Sequence, residues 1–283
     1  MKILVVGYKG MLGHDVMECC RLNGIDVIGM DLPEIDITDE AALSARIPSV
    51  DWIANCAAFT RVDDAETERD AAFAINCEGA RNLAVVARHR DMRLLQVSTD
   101  YVFDGRAGRA YQETDRVNAL SIYGASKLAG EKAIRAEGGH YVIVRTQSLF
   151  GKHGHNFVKA IVRKTRESDT PLRVVEDQIS APTYTRHLAE AMVRLMKMNQ
   201  EGLLHVTASD SCSWYEFARQ IVAEIKPGHE IIPISAAELK LPATRPMFSI
   251  LNNQRYQSIT GHVLPSWRHG LEAYFQEEDY FTK

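Results

Sequence analysis

The chain has 283 residues, 46% of them apolar and 25% charged, the mix of a soluble globular protein with ample core. A net charge of −4 without a basic tract argues against a nucleic-acid partner. No apolar run approaches the roughly 20 residues of a membrane span. Residues 1–13 lack a cleavage site and read as a first strand, so the expectation is a cytoplasmic protein. The five cysteines, Cys19, Cys20, Cys56, Cys77 and Cys212, are odd in number and lack CxxC spacing, which reads as core packing in a reducing compartment.

Residues 2–6 form a short apolar run, followed by Gly7-Tyr8-Lys9-Gly10-Met11-Leu12-Gly13 and a helical pattern through Leu22. A strand, a GxxGxxG turn and a helix let the backbone approach a pyrophosphate at a helix N-terminus. The plain alternative is an ordinary βα turn. Residues 26–30 read as a second strand ending in Asp31, about 20 residues after the glycines, where an acid can bond the adenosine ribose and would favour NADH. Asp31 is also an ordinary turn residue, with Pro33 close behind. Residues 36–39 look like a strand end running into a helix cap, with Asp36 placed to meet adenine. The DWIAN strand leads into small residues, Cys56-Ala57-Ala58, that leave room for a cofactor. Residues 66–69 and 71–88 read as helical, with the Asn76 amide bonding a neighbouring strand or facing solvent.

The run 93–97 is another buried strand, ending in Ser98-Thr99-Asp100. Tyr123-Gly124-Ala125-Ser126-Lys127 then opens a helix that places Tyr123 and Lys127 on one face. A Lys beside a Tyr favours the phenolate and draws the phenol pKa down, while the Thr99 hydroxyl holds a carbonyl oxygen. Such a pair also occurs on ordinary surface helices. Residues 141–145 add a further strand. Apolar strands alternating with helices predict an α/β protein with a Rossmann-type doubly wound parallel sheet. Gly7, Asp31, Ala57, Thr99 and Arg145 all fall at the carboxyl ends of strands, where such sheets bind ligands.

The second half is less regular. Residues 157–164, 187–198 and 214–225 read as helices, with Met192, Met196 and Met198 as core filler. Residues 172–175 and 203–206 read as strands. His153 and His155, two apart with no third ligand nearby, do not suggest a metal. Four prolines from Pro227 to Pro246 mark an irregular region, in which Arg245 could grip a phosphate or simply lie on the surface. The expected organisation is a dinucleotide-binding domain at 1–146 plus about 183–208, with a smaller mixed α/β C-terminal substrate lobe at about 147–182 plus 209–283.

NCAAFTRVDDAE, STDYVFDG, YGASKLAGE, DQISAPT and ATRPMFSILN together carry a resemblance over nearly the whole chain. It resembles the extended short-chain dehydrogenase/reductases and, more narrowly, the dTDP-4-dehydrorhamnose reductase family. The resemblance implies reduction of a C4 keto group on a dTDP-sugar by NADPH or NADH, with Tyr123 as general acid and Lys127 on the nicotinamide ribose. Thr99 would orient the keto group, Asp100 would approach the sugar, and Arg245 would face the nucleotide. Gly7, Gly10, Met11 and Leu12 would line the pyrophosphate. Asp36 and Ile37 would flank adenine, and Ala57, Ala58 and Thr60 would lie along the cofactor. The partner implied is a small-molecule nucleotide sugar. Some members are Mg-linked dimers, and Asp15 falls near one of their acidic positions; a homodimer is compatible with this, and no metal is expected. Two departures stand out: Ser148 replaces a usual Trp, and Phe59 a frequent His. The same fold also carries nucleotide-sugar epimerases and dehydratases that retain NAD. It resembles, too, the non-catalytic NADP-binding regulatory subunit of methionine adenosyltransferase.

Overall fold

A computed structural model describes residues 1–278; residues 279–283, assigned above to the smaller lobe, lie outside the described residues. Six strands form one parallel sheet in the order Asp26–Met30, Lys2–Val6, Trp52–Asn55, Arg93–Thr99, Tyr141–Thr146 and Gly202–His205. The strands read as continuous apolar runs because both faces are covered. Ile3 and Val5 point into a core built with Val16 and Cys20 of the Met11–Leu22 helix and Leu188, Met192 and Met196 of the Thr185–Lys197 helix. Leu4 and Val6, the alternate residues, meet Leu83, Val86 and Ile134 from helices on the other face. The expected doubly wound sheet is therefore present. Met198, expected as core filler, is exposed because the helix stops at Lys197.

The direction of the chain through the sheet reverses beside the first strand. The second strand lies on one side of it and the third on the other. Ligands of open α/β sheets bind outside the carboxyl ends of the strands at such a switch point. Here the ends are Gly7 and residues 56–57. They touch closely: a Cβ on Gly7, whose φ is +78°, would lie 2.6 Å from the Ala57 nitrogen. Only glycine serves there.

A third core, around Phe150, Phe217, Trp267 and Tyr274, lies among the later elements. The region of scattered prolines is more ordered than expected. It contains the strand Ile231–Ile234, paired in parallel with Leu172–Val175. Pro233 is tolerated because the pair is only two strands wide, leaving an edge that needs no donor. Among the described residues no helix is long and apolar enough to cross a membrane.

Candidate active site

The Ile122–Glu137 helix starts at Ser121, whose hydroxyl accepts from the Gly124 N–H at 3.2 Å. This cap fixes where the helix begins, and with it the positions of Tyr123 and Lys127 one turn apart. The helix can approach the end of the Arg93–Thr99 strand because position 124 has no side chain; a Cβ would lie 2.2 Å from the Tyr101 carbonyl oxygen. The approach sets the Tyr123 hydroxyl next to that of Thr99. The Thr99 hydroxyl donates to Asp100 Oδ1 at 3.1 Å and accepts from the Tyr101 N–H at 3.2 Å. Lys127 is buried, with Nζ donating to the Val97 carbonyl at 2.7 Å.

The electrostatics differ from expectation at one point. Burial pushes the Tyr123 phenol up to about 12, the Thr99 hydrogen bond opposes the rise, and the Asp100 carboxylate adds to it. The sequence predicts a phenol drawn down by Lys127. Instead the ammonium is committed to a backbone carbonyl, and burial pulls Lys127 itself down to about 8. Asp100, buried beneath the site, is pushed up to about 6 by desolvation, against hydrogen bonds from Ser249 and Thr99.

The remaining expected residues are placed as follows. Gly10 caps the Met11–Leu22 helix with no side-chain bond to its first N–H groups, which leaves backbone donors at a helix N-terminus. Leu12 is buried in the core and Met11 lies against Asn156. The Asp31 carboxylate accepts from the backbone N–H groups of Lys9 and Leu32. Asp36 is exposed and folds back on Thr38, while the Ile37 side chain turns into the core. Ala57 donates its N–H to Asn55 Oδ1 at 3.1 Å. Ala58 is half-buried and Thr60 exposed. Arg245 is not held open for a phosphate; it forks onto Asp63 at 3.0 and 2.7 Å. His153 stacks on His14 at 3.5 Å, and with Asp15 their ligand atoms lie within 4.8 Å of one another.

Three supports were not foreseen. Asn76 neither faces solvent nor bonds a strand. Its amide bonds the Phe59 N–H and carbonyl and the Ser126 hydroxyl, which ties the loop after the third strand to the Ile122–Glu137 helix. It sits in a π-helical stretch, Ala74–Gly79, whose extra residue defeats a 3.6-residue reading. Glu131 accepts from Ser98 and from Arg145, and Ser249 from the later lobe reaches Asp100. Glu131 lies one turn beyond Lys127, a spacing visible in the sequence.

The model of the RmlD substrate binding domain family matches residues 1–280. The chain belongs to this family. Among its relatives is the spore coat polysaccharide biosynthesis protein SpsK of Bacillus subtilis (strain 168), 36% identical over 98% of this chain and 97% of that one. The dTDP-4-keto-6-deoxy-D-glucose reductase of Streptomyces niveus is 34% identical, with 96% of each chain covered. A crystal structure of dTDP-4-dehydrorhamnose reductase from Bacillus anthracis str. Ames, in complex with NADP, superposes with a TM-score of 0.94 at 37% identity. That match covers 98% of this chain and 100% of the other. The fold of this chain thus places its glycine turn, strand-end hydroxyl and the start of its Tyr–Lys helix at the carboxyl-end edge of one sheet.

Proposed function

We propose that the chain reduces the C4 keto group of a dTDP-4-dehydro-6-deoxy sugar, converting dTDP-4-dehydro-L-rhamnose to dTDP-L-rhamnose with NADPH or NADH. The observation that carries this reading is the placing of the Tyr123 and Thr99 hydroxyls side by side at a sheet end whose neighbouring helix N-terminus offers uncapped backbone donors. Those donors, at Met11 and the residues after it, suit a pyrophosphate. A reduced nicotinamide, when bound, supplies the hydride. Tyr123 gives its proton to the carbonyl oxygen and regains one from solvent. A phenol held near 12 is protonated at neutral pH, as a general acid must be. Thr99 holds the keto oxygen beside Tyr123, and Lys127 places a cation next to the Val97 carbonyl, in reach of the nicotinamide ribose.

The substrate-binding part is taken to be residues 147–182 and 209 onward, with Arg245 and Asp100 facing the nucleotide sugar. The cytoplasm is the natural setting for a chain whose five cysteines are all free thiols. The test is a panel of 4-keto nucleotide sugars with each reduced cofactor, followed by loss of reduced nicotinamide. Tyr123→Phe should lower kcat by roughly 10² to 10⁴. Unchanged turnover in that variant removes Tyr123 from the mechanism. Stoichiometric NAD retained through purification, without net cofactor oxidation, assigns the chain to epimerases or dehydratases instead.

A further inference from the structure

The chain leaves the Tyr141–Thr146 strand in an uncommon conformation. Among the described residues, four other than glycine have a φ in the left-handed region. Asp91, Asn199 and Lys240 each close a helix, where that conformation is ordinary. Ser148, at φ +49°, instead follows a strand, two residues after Thr146. Serine is not favoured in this backbone, and such outliers persist where their surroundings impose them. Here the Ser148 carbonyl accepts from the Thr183 N–H at 3.2 Å, and the side chain before it, Gln147, accepts from the Leu251 N–H at 3.1 Å. The turn so fixed holds the Ser148 hydroxyl 2.8 Å from that of Ser180. Ser180 is buried, while Ser148 is only half-buried and open to a ligand.

Two routes place this hydroxyl pair beside the keto site. Thr146 lies opposite Thr99 in the parallel register, and two residues of chain carry Ser148 at most about 7 Å beyond it. From the later segment, the Ile179 carbonyl, next to Ser180, accepts from the Ser249 N–H at 3.3 Å, and Ser249 lies next to Asp100, the residue after Thr99. A sugar whose C4 carbonyl meets Thr99 and Tyr123 brings its neighbouring ring carbons within reach of the pair. In a 4-keto-6-deoxy sugar those neighbours differ: C3 bears a hydroxyl, whereas C5 bears a methyl group. Of the two serine O–H groups only one is used within the pair. The other O–H and the free lone pairs suit a ligand hydroxyl, which donates and accepts at once, and offer a methyl group nothing.

We propose that Ser148 and Ser180 read the C3 hydroxyl of the sugar, so that the chain is specific for 4-keto sugars that keep a hydroxyl beside the keto carbon. The inference rests on the keto-reductase reading of the site and deepens it. The test compares kcat/KM for a dTDP-4-keto-6-deoxy sugar and for its 3-deoxy analogue at saturating reduced cofactor. The wild-type chain should favour the 3-hydroxy sugar about tenfold, the upper range for one neutral hydrogen bond. Ser148→Gly removes the hydroxyl yet takes the left-handed backbone without strain, which keeps the turn. It should lower kcat/KM for the 3-hydroxy sugar about tenfold and leave the 3-deoxy sugar within about twofold. Ser180→Ala, away from the turn, should do the same. Equal kcat/KM for the two sugars in the wild type, or a ratio that Ser148→Gly leaves unchanged, overturns the subsite and leaves the reductase reading intact. Reduction of neither sugar by the wild type overturns both.

Discussion

Two arginines in this chain fork onto carboxylates, and their surroundings make them different devices. Arg145 meets Glu131 at 2.8 and 2.7 Å with both side chains 2% exposed. Arg245 meets Asp63 at nearly the same distances, but with 18% and 33% exposed. The first pair joins the Tyr141–Thr146 strand to the Ile122–Glu137 helix. The second joins the segment around Asp63 to the later, proline-rich segment. A desolvated pair cannot lose one member without stranding a charge in low dielectric, whereas a half-exposed pair can fall back on water. The inner fork is thus part of the frame, and the outer one a fastening that can be exchanged.

The largest expected effect follows from the inner fork. Glu131→Ala leaves the Arg145 guanidinium buried without its counter-charge, beside His205, whose own pKa is already pushed down to about 3 by burial. A loss of about 3–5 kcal/mol is expected on urea unfolding. The Ser98 hydroxyl, which donates to the same carboxylate at 2.6 Å, loses its anchor one residue before Thr99. Activity should therefore fall along with stability. A loss under about 1 kcal/mol would erase the distinction between the two forks.

Next in size is the burden that Lys127 places on the same helix. Its depression from 10.5 to about 8 corresponds to about 3 kcal/mol against folding. Below pH 8 the folded and unfolded chains both carry the ammonium, and the full penalty stands. Between pH 8 and 10.5 the folded chain releases this proton first, so the Lys127 penalty should fade with rising pH across that window. Lys127→Met should be more stable than wild type at pH 7, by an amount that shrinks toward pH 10.5, while reduction is lost. Thermal unfolding of the wild type and Lys127→Met side by side at a series of pH values reads this as a difference, since the buried thiols and phenols titrate in both; a gap between the two that stays constant across the window contradicts it.

What could be read in the sequence follows the same division between frame and fastening. The sheet strands were legible because residues such as Ile3, Leu4, Val5 and Val6 are covered on both faces and leave an unbroken apolar run. Tyr123 and Lys127 were legible because a helix converts a spacing of four into proximity. The same rule extends to Glu131, but its partner Arg145 comes from a strand whose register no local pattern encodes. Asp63 and Arg245 are 182 positions apart in loops without a period, so only their meeting in space reveals them. Charge at the sequence level was also misleading at Tyr123. Proximity to Lys127 predicts a lowered phenol, whereas burial, invisible in a string of residues, decides the direction.

The outer fork gives the smallest effect on stability and the sharpest test of its role. Arg245→Ala should change unfolding by less than about 1 kcal/mol, as half-exposed pairs do. Arg245 also lies near Tyr101, whose ring stands edge-on to Tyr123 with centroids 5.5 Å apart. A guanidinium that only fastens the loops predicts the same rise in KM for Arg245→Ala and for Asp63→Asn, since each removes the bond. A guanidinium that leaves Asp63 for a substrate phosphate predicts opposite outcomes. Arg245→Ala should then raise KM for the nucleotide sugar about tenfold with a smaller change in kcat. Asp63→Asn, which frees the same fork, should hold or lower KM, because the phosphate no longer competes with a carboxylate for two parallel N–H donors.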